Sequence, residues 1–177
     1  MLFRSTWHNK LTLPHILDKN IENSLLVAQS ACYPKCGIPT SVHIHGLESA
    51  PINDGIFTHS IYSNQILSST YLNVQGASTK LYHDHSLGLS RLNVWAGLMG
   101  TYIITDNQFD KEHNINIEQD IPLIIQDKNI DINGKLLYSD DICVDTPNTK
   151  WVPESFGSVN LVNGVVLPYL EIKPDRK

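Results

Sequence analysis

Apolar residues in this chain come in short runs, alternating or continuous, with turn-forming residues between them. SLLVAQ, TSVHIHG, TKLYHDH, GTYIITD, IPLIIQD, GKLLYS, VNLV and VVLPYLEI are rich in β-branched and aromatic side chains, which suit a half-buried pleated surface. That pattern predicts an all-β chain built as a sandwich or barrel. Asn133-Gly134 and Asn163-Gly164 each lie between two runs and predict tight hairpins, because a positive φ is cheap there. Pro168 within VVLPYLEI cannot donate to a ladder and predicts an edge or bulge position. Only the stretch from Leu87 to Trp95 has spacing for a turn of helix, and its glycines weaken that pattern.

The polar segment DNQFDKEHNINIEQD, Asp106 to Asp120, interrupts the pattern. It reads as a linker, giving a first unit over residues 1–106, a linker over 107–120 and a second unit over 121–177. The 177 residues suffice for a real core. A net charge of −5, from 13 basic and 18 acidic residues without long runs of one sign, offers no electrostatic footprint for nucleic acid or an anionic membrane. Neither partner is expected. The longest apolar candidate, Leu92 to Ile104, is broken by Gly97 and Gly100 and falls short of the ~20 residues of a membrane span. Arg4, His8 and Lys10 interrupt the start of the chain where a secretory signal is apolar. The expectation is a soluble chain of unassigned compartment. Cys32 and Cys36 are spaced for a local disulfide or plain loop thiols, and Cys143 reads as a small half-buried residue.

Four of the eight histidines fall in two copies of one spacing, His43 with His45 and His83 with His85. Residues i and i+2 of a strand share a face, about 6.6 Å apart. Each pair therefore projects together, and if the two strands are neighbours, four imidazoles line one surface. That is enough for a mononuclear site or half of a larger cluster. Imidazole suits copper, zinc, iron and nickel, and copper(II) ranks highest at a nitrogen-rich site. Asp84, between two histidines, points to the opposite face and is expected to fix the strand or orient a neighbour. Gly46 reads as a turn residue. His8, His15, His59 and His113 stand singly and are given no role. A cupin-like site wants a glutamate a few residues further on; Glu48 sits too near His45, and a single-metal cupin leaves the His83-Asp84-His85 pair unexplained. A metallo-β-lactamase-like site continues with Asp-His where Ser86-Leu87 stand here.

TSVHIHGLESAPINDG and LYHDHSLGLSRLNVWAGLMGTYIITD together resemble the two N-terminal copper motifs of the multicopper oxidases, in the branch of spore-coat laccases and bilirubin oxidases. The resemblance extends over nearly the whole chain. STWHNKLTLPHIL is similar to the strand and loop entering that family's first domain, although the strand usual before the Trp7 region is missing. IPLIIQDKNIDINGKLLYS and FGSVNLVNGVVLPYLEIKPDRK are similar to the opening of its second. The resemblance implies a cupredoxin-like (plastocyanin-like) Greek-key β-sandwich followed by an incomplete second cupredoxin domain. It implies copper as the cofactor: His43 on a type 2 ion, His45 and His83 on one type 3 ion, His85 on the other. Such a centre reduces dioxygen to water with electrons from a small reducing substrate, delivered through a type 1 copper. The family's His-x-x-His-x-His and His-Cys-His motifs do not occur in these 177 residues. The expectation is half of a trinuclear site that does not turn over by itself, the oxidase activity belonging to a longer or ancestral chain. The alternative is a non-catalytic copper-binding or interaction module, or a decayed gene product.

Overall fold

The computed structural model describes residues 2–11, 37–116, 120–138, 154 and 156–172. The run SLLVAQ, the cysteines at 32, 36 and 143, and His15 lie outside the described residues.

Nine antiparallel strands form three sheets among the described residues. Strands β1 (Phe3–His8) and β3 (Ile66–Tyr71) pair in a two-stranded sheet, with Phe3 opposite Tyr71. A three-stranded sheet has β4 (Ser78–Asp84) between β2 (Val42–His45) and β5 (Met99–Ile104). Alternation along β2 sends Ile44, fully buried, to one side and His43 and His45 to the other. Ile44 joins Leu47, Tyr71 and Ile104 in a core against which Tyr82 and Tyr102 pack. Trp7 of β1 lies 5.5 Å from Tyr82 of β4, centroid to centroid, so the core fills the space between these two sheets, the layering of a β-sandwich. Gly100 faces Tyr82 across the ladder; a Cβ there would lie 2.2 Å from the phenol ring, so the ring occupies the space a side chain would take.

The third sheet has the order β7-β6-β8-β9, from β6 (Ile125–Ile130), β7 (Leu136–Leu137), β8 (Val159–Val162) and β9 (Val165–Val166). Strand β6 starts later than the run IPLIIQD implies, beyond Pro122, which has no N–H for a ladder. Asn163 and Gly164 have φ of 49° and 81° and join Val162 to Val165 in the expected two-residue hairpin. The β6–β7 turn differs. There only Gly134 is left-handed, and Asp131 N–H bonds the Lys135 carbonyl while Gly134 N–H returns to Asp131, a three-residue loop closed by glycine. Pro168 follows edge strand β9, which ends as Leu167 turns to a φ of 43°.

Among the described residues, two short helices accompany the sheets. The turn expected near Leu87 to Trp95 is α1 (Ser90–Trp95). The polar segment contains α2 (Asn107–Glu112), which pattern alone does not show. It begins because the Asp106 side chain accepts from the N–H groups of Gln108 and Phe109, an N-cap. Leu89, just before helix α1, and Leu92 within it are buried where the helix meets the third sheet; there Trp95, Leu136 and Tyr138 cover that pair and Trp95 Nε1 donates to the Leu137 carbonyl at 2.8 Å. No helix among the described residues is long and apolar enough to cross a membrane.

Candidate metal centre

The register of β2 and β4 decides how the histidines meet. His43 stands directly opposite His83, and His45 opposite Leu81, so His43, His45 and His83 occupy one face of neighbouring strands. Their ring centroids lie 5.4 to 5.8 Å apart pairwise. One nitrogen from each falls within 4.8 Å of the others. His85 is the fourth member by parity, yet it lies one residue beyond the end of β4. Its backbone N–H continues to the Ser41 carbonyl at 2.7 Å, and its ring rests on His43, 4.8 Å between centroids. The structure therefore gathers three of the four imidazoles into one donor group and places the fourth against it.

Hydrogen bonds fix which nitrogen each ring offers. A carbonyl oxygen only accepts, so a ring nitrogen bonded to one must carry its proton. His43 Nδ1 donates to the Asp54 carbonyl at 2.8 Å and lies 3.3 Å from the Asp54 carboxylate. His83 Nδ1 donates to the Asp84 carbonyl at 2.8 Å. Both rings thus turn Nε2, with its lone pair, toward the group. His45 differs: its Nδ1 is 3.3 Å from His83 Nε2. A single proton bridges these two nitrogens without metal, and an ion able to take both lone pairs displaces that proton. Three imidazole donors with oriented outer nitrogens form a group that could hold a borderline metal ion.

His85 is tuned separately. Its Nδ1 is buried without a well-formed hydrogen bond, the Gly55 backbone being the polar group beside it. Burial pushes its pKa below the ordinary histidine value, and the neighbouring His43 and His83 rings push the same way. It therefore favours the neutral form, the one that ligates.

The loop after β2 holds this arrangement. Gly46 turns with a φ of 77°, a 3-10 turn at Pro51–Asn53 follows, and Asn53 Oδ1 accepts from Thr70 N–H, tying the loop to β3. Gly55 then passes directly over β2: a Cβ would lie 1.9 Å from the Val42 carbonyl oxygen. Only glycine allows that approach, and the approach brings Asp54 to His43.

Asp84 faces the other way, as expected. Its carboxylate is buried and accepts from Ser41 N–H, Ser86 N–H and Ser86 Oγ at 2.9 to 3.1 Å. Desolvation raises its pKa although these donors, with Asn93, act to lower it. The group pins the ends of β2 and β4 together at the histidines. Ser41, Ser86 and Asn93 are the members that spacing does not reveal; Asn93, fully buried in α1, also donates to the Pro39 carbonyl at 3.0 Å. His113 caps α2 instead, donating from Nδ1 to the Phe109 carbonyl.

Residues 35–108 match the multicopper oxidase family. The chain is similar to a rice (Oryza sativa subsp. japonica) protein called multicopper oxidase LPR1 homolog 3, 34% identical over 97% of this chain and 33% of that protein. A laccase of Bacillus subtilis is likewise 34% identical, over 95% of this chain and 34% of its own length. This chain spans about a third of the curated relatives it matches. Among solved structures, a variant of the McoA multicopper oxidase from Aquifex aeolicus superposes with a TM-score of 0.65 at 28% identity, covering 77% of this chain and 29% of that one. The β-sandwich is thus cupredoxin-like, and copper is the metal the family implies. On the domain match at residues 35–108 and the relatives aligned along nearly its full length, this chain belongs to the multicopper oxidase family.

Proposed function

We propose that His43, His45, His83 and His85 ligate copper, and that the chain supplies half of a trinuclear type 2/type 3 centre. In this reading His43 serves the type 2 ion, His45 and His83 share one type 3 ion, and His85 serves the other. The observation that carries it is the approach of His45 Nδ1 to His83 Nε2 at 3.3 Å, with His43 within the same 4.8 Å group. Two nitrogens that close, from two strands, suit one shared ion; His85, set against His43 and outside the group, suits a different one. In a full-length protein such ions supply the one-electron chemistry that couples oxidation of a small reducing substrate to reduction of dioxygen to water. The residues of this chain bind and orient: Asp54 fixes the His43 ring, the Asp84 carbonyl fixes His83, and burial keeps His85 neutral. Residues 1–106 are proposed as a first cupredoxin domain, 107–120 as a linker, and 121–177 as the beginning of a second.

The test is copper(II) titration of the chain by calorimetry, with electron paramagnetic resonance reporting nitrogen ligation. Binding is expected to weaken at acid pH, because only the unprotonated imidazole ligates. Replacing all four histidines by alanine should abolish it. Unchanged uptake by that variant would overturn the site.

A further inference from the structure

The chain contains two Asn-Gly dipeptides, Asn133-Gly134 in the β6–β7 loop and Asn163-Gly164 in the β8–β9 hairpin. In such a pair the backbone nitrogen of the second residue can close on the side-chain amide of the first, because glycine has no Cβ to obstruct the approach. Both asparagines are exposed, so neither sequence nor exposure separates them. Their hydrogen bonds do.

The Asn163 side chain is held at both of its polar atoms. Its Oδ1 accepts from Ile124 N–H at 2.9 Å and its Nδ2 donates to the Pro122 carbonyl at 3.1 Å. Its backbone N–H donates to the Ile124 carbonyl as well. Among the described residues no hydrogen bond holds the Asn133 side chain; its backbone N–H alone is engaged, with the Asp131 carboxylate at 2.9 Å. Ile132 beside it is 99% exposed, and a Cβ on Gly134 would meet nothing within 4 Å, so a ring has room to form there. Gly134 N–H closes the loop on the Asp131 carbonyl at 3.0 Å. That is a single bond at an exposed loop tip, the kind that opens by local fluctuation.

We propose that Asn133 is a site of spontaneous covalent modification, converted through a cyclic imide to isoaspartate and aspartate, while the bonds on Asn163 protect it from the same reaction. The Gly134 nitrogen gives up its proton to hydroxide or a buffer base and bonds to Asn133 Cγ, and the side-chain nitrogen leaves as ammonia. Water then opens the imide. Opening at the side-chain carbonyl gives aspartate, and opening at the main-chain carbonyl gives isoaspartate; neither step needs an oxidant or a reductant. The isoaspartyl product adds one methylene to the backbone and a carboxylate close to Asp131. This loop cannot absorb both changes, because the Asp131 side chain accepts from the N–H groups of residues 133 and 135 together. Strand β7 then loses its register on β6, and β7 carries Leu136 and the Leu137 carbonyl, which meet Leu89, Leu92 and Trp95. The modification therefore loosens the contact between the third sheet and α1. Its chemistry requires no metal.

Incubating the folded chain in mildly alkaline buffer and mapping its peptides by mass spectrometry tests this. Isoaspartate at each site is quantified by enzymatic carboxyl methylation, and the same chain unfolded in urea is the reference. In urea the two sites should convert at similar rates, since their sequences are alike. In the folded chain Asn133 should convert at least tenfold faster than Asn163, whose two side-chain hydrogen bonds must open first. The β7 amides should exchange with solvent at least threefold faster in the converted protein. Asn133→Gln, which would have to close a larger ring, should stay unconverted and keep the slow exchange. Equal folded-state rates at the two sites, faster conversion at Asn163, no conversion of Asn133 while the unfolded chain converts, or β7 exchange unchanged by conversion would each overturn the proposal. If circular dichroism shows Asn133→Gln unfolded, the comparison of the two sites within the parent chain decides.

Discussion

Gly55 and Asp84 show how single residues hold the histidines in place. A methyl at Gly55 would collide with the β2 backbone and force a residue with a side chain to a φ of 65°. Gly55→Ala should lose about 2–4 kcal/mol of stability from the left-handed backbone and the overpacking together, and copper affinity should fall with it as Asp54 is moved off His43. Urea unfolding and copper titration of the same sample check both; an unchanged midpoint refutes the clash. At Asp84, leucine would leave the Ser41 and Ser86 N–H groups buried without an acceptor, a loss of about 2–5 kcal/mol, whereas asparagine keeps one acceptor oxygen and should lose less. Equal losses in the two variants would show that packing, and not the acceptor, matters there. Lys128 gives a pH signature. Its folded pKa is depressed by burial, so between that value and 10.5 the unfolded chain binds more protons and stability rises with pH. Lys128→Met should flatten that rise, measured as urea midpoint against pH for both chains; parallel curves would count against it. At this scale the histidine pairs were legible because strand parity is a property of spacing alone. What spacing does not show is that His85 leaves the donor group, because that depends on β4 ending at Asp84, where the Ser86 bonds take over the chain.

The secondary elements were readable where burial follows apolar residues and obscured where it does not. Strand β3, ILSSTY, passes unnoticed because its buried positions include Ser69 while Ile66 points outward; its inward face is set by pairing with β1, not by its own pattern. The hairpin at Asn163-Gly164 follows from the dipeptide. The one at Asn133-Gly134 does not take the same form, since the Asp131 side chain accepts from both Asn133 and Lys135 N–H and stabilises a longer loop. Helix α2 was hidden because DNQFDKEHN lacks an apolar stripe, and it depends heavily on its cap. Asp106→Ala should therefore cost about 1 kcal/mol and raise amide exchange within Asn107–Glu112 specifically. Exchange unchanged in that helix would show that tertiary contacts, not the cap, hold it.

For the whole molecule, the pairing of β2 with β4 across about forty intervening residues is what turns two spacing motifs into one site, and no local pattern announces that pairing. The motifs nevertheless pointed to it through their resemblance to a family in which they act together, and the family match at residues 35–108 spans both. The third sheet lies outside that match and carries a different consequence. Ile125, Ile132, Val165, Val166, Leu167, Tyr169 and Leu170 are all exposed, several of them on or beside β9, an edge strand. An apolar edge with unpaired backbone groups recruits further strands, and a contiguous exposed apolar patch drives association by the same burial that builds cores. The 177-residue chain should self-associate as its concentration rises, with mass from sedimentation velocity increasing above the monomer value. Val165→Lys places a charge on the β9 edge without touching the histidines. It should restore the monomer while leaving copper uptake intact. A parent chain that stays monomeric across the accessible range would sink the argument, and a variant that associates as strongly would move the contact away from β9.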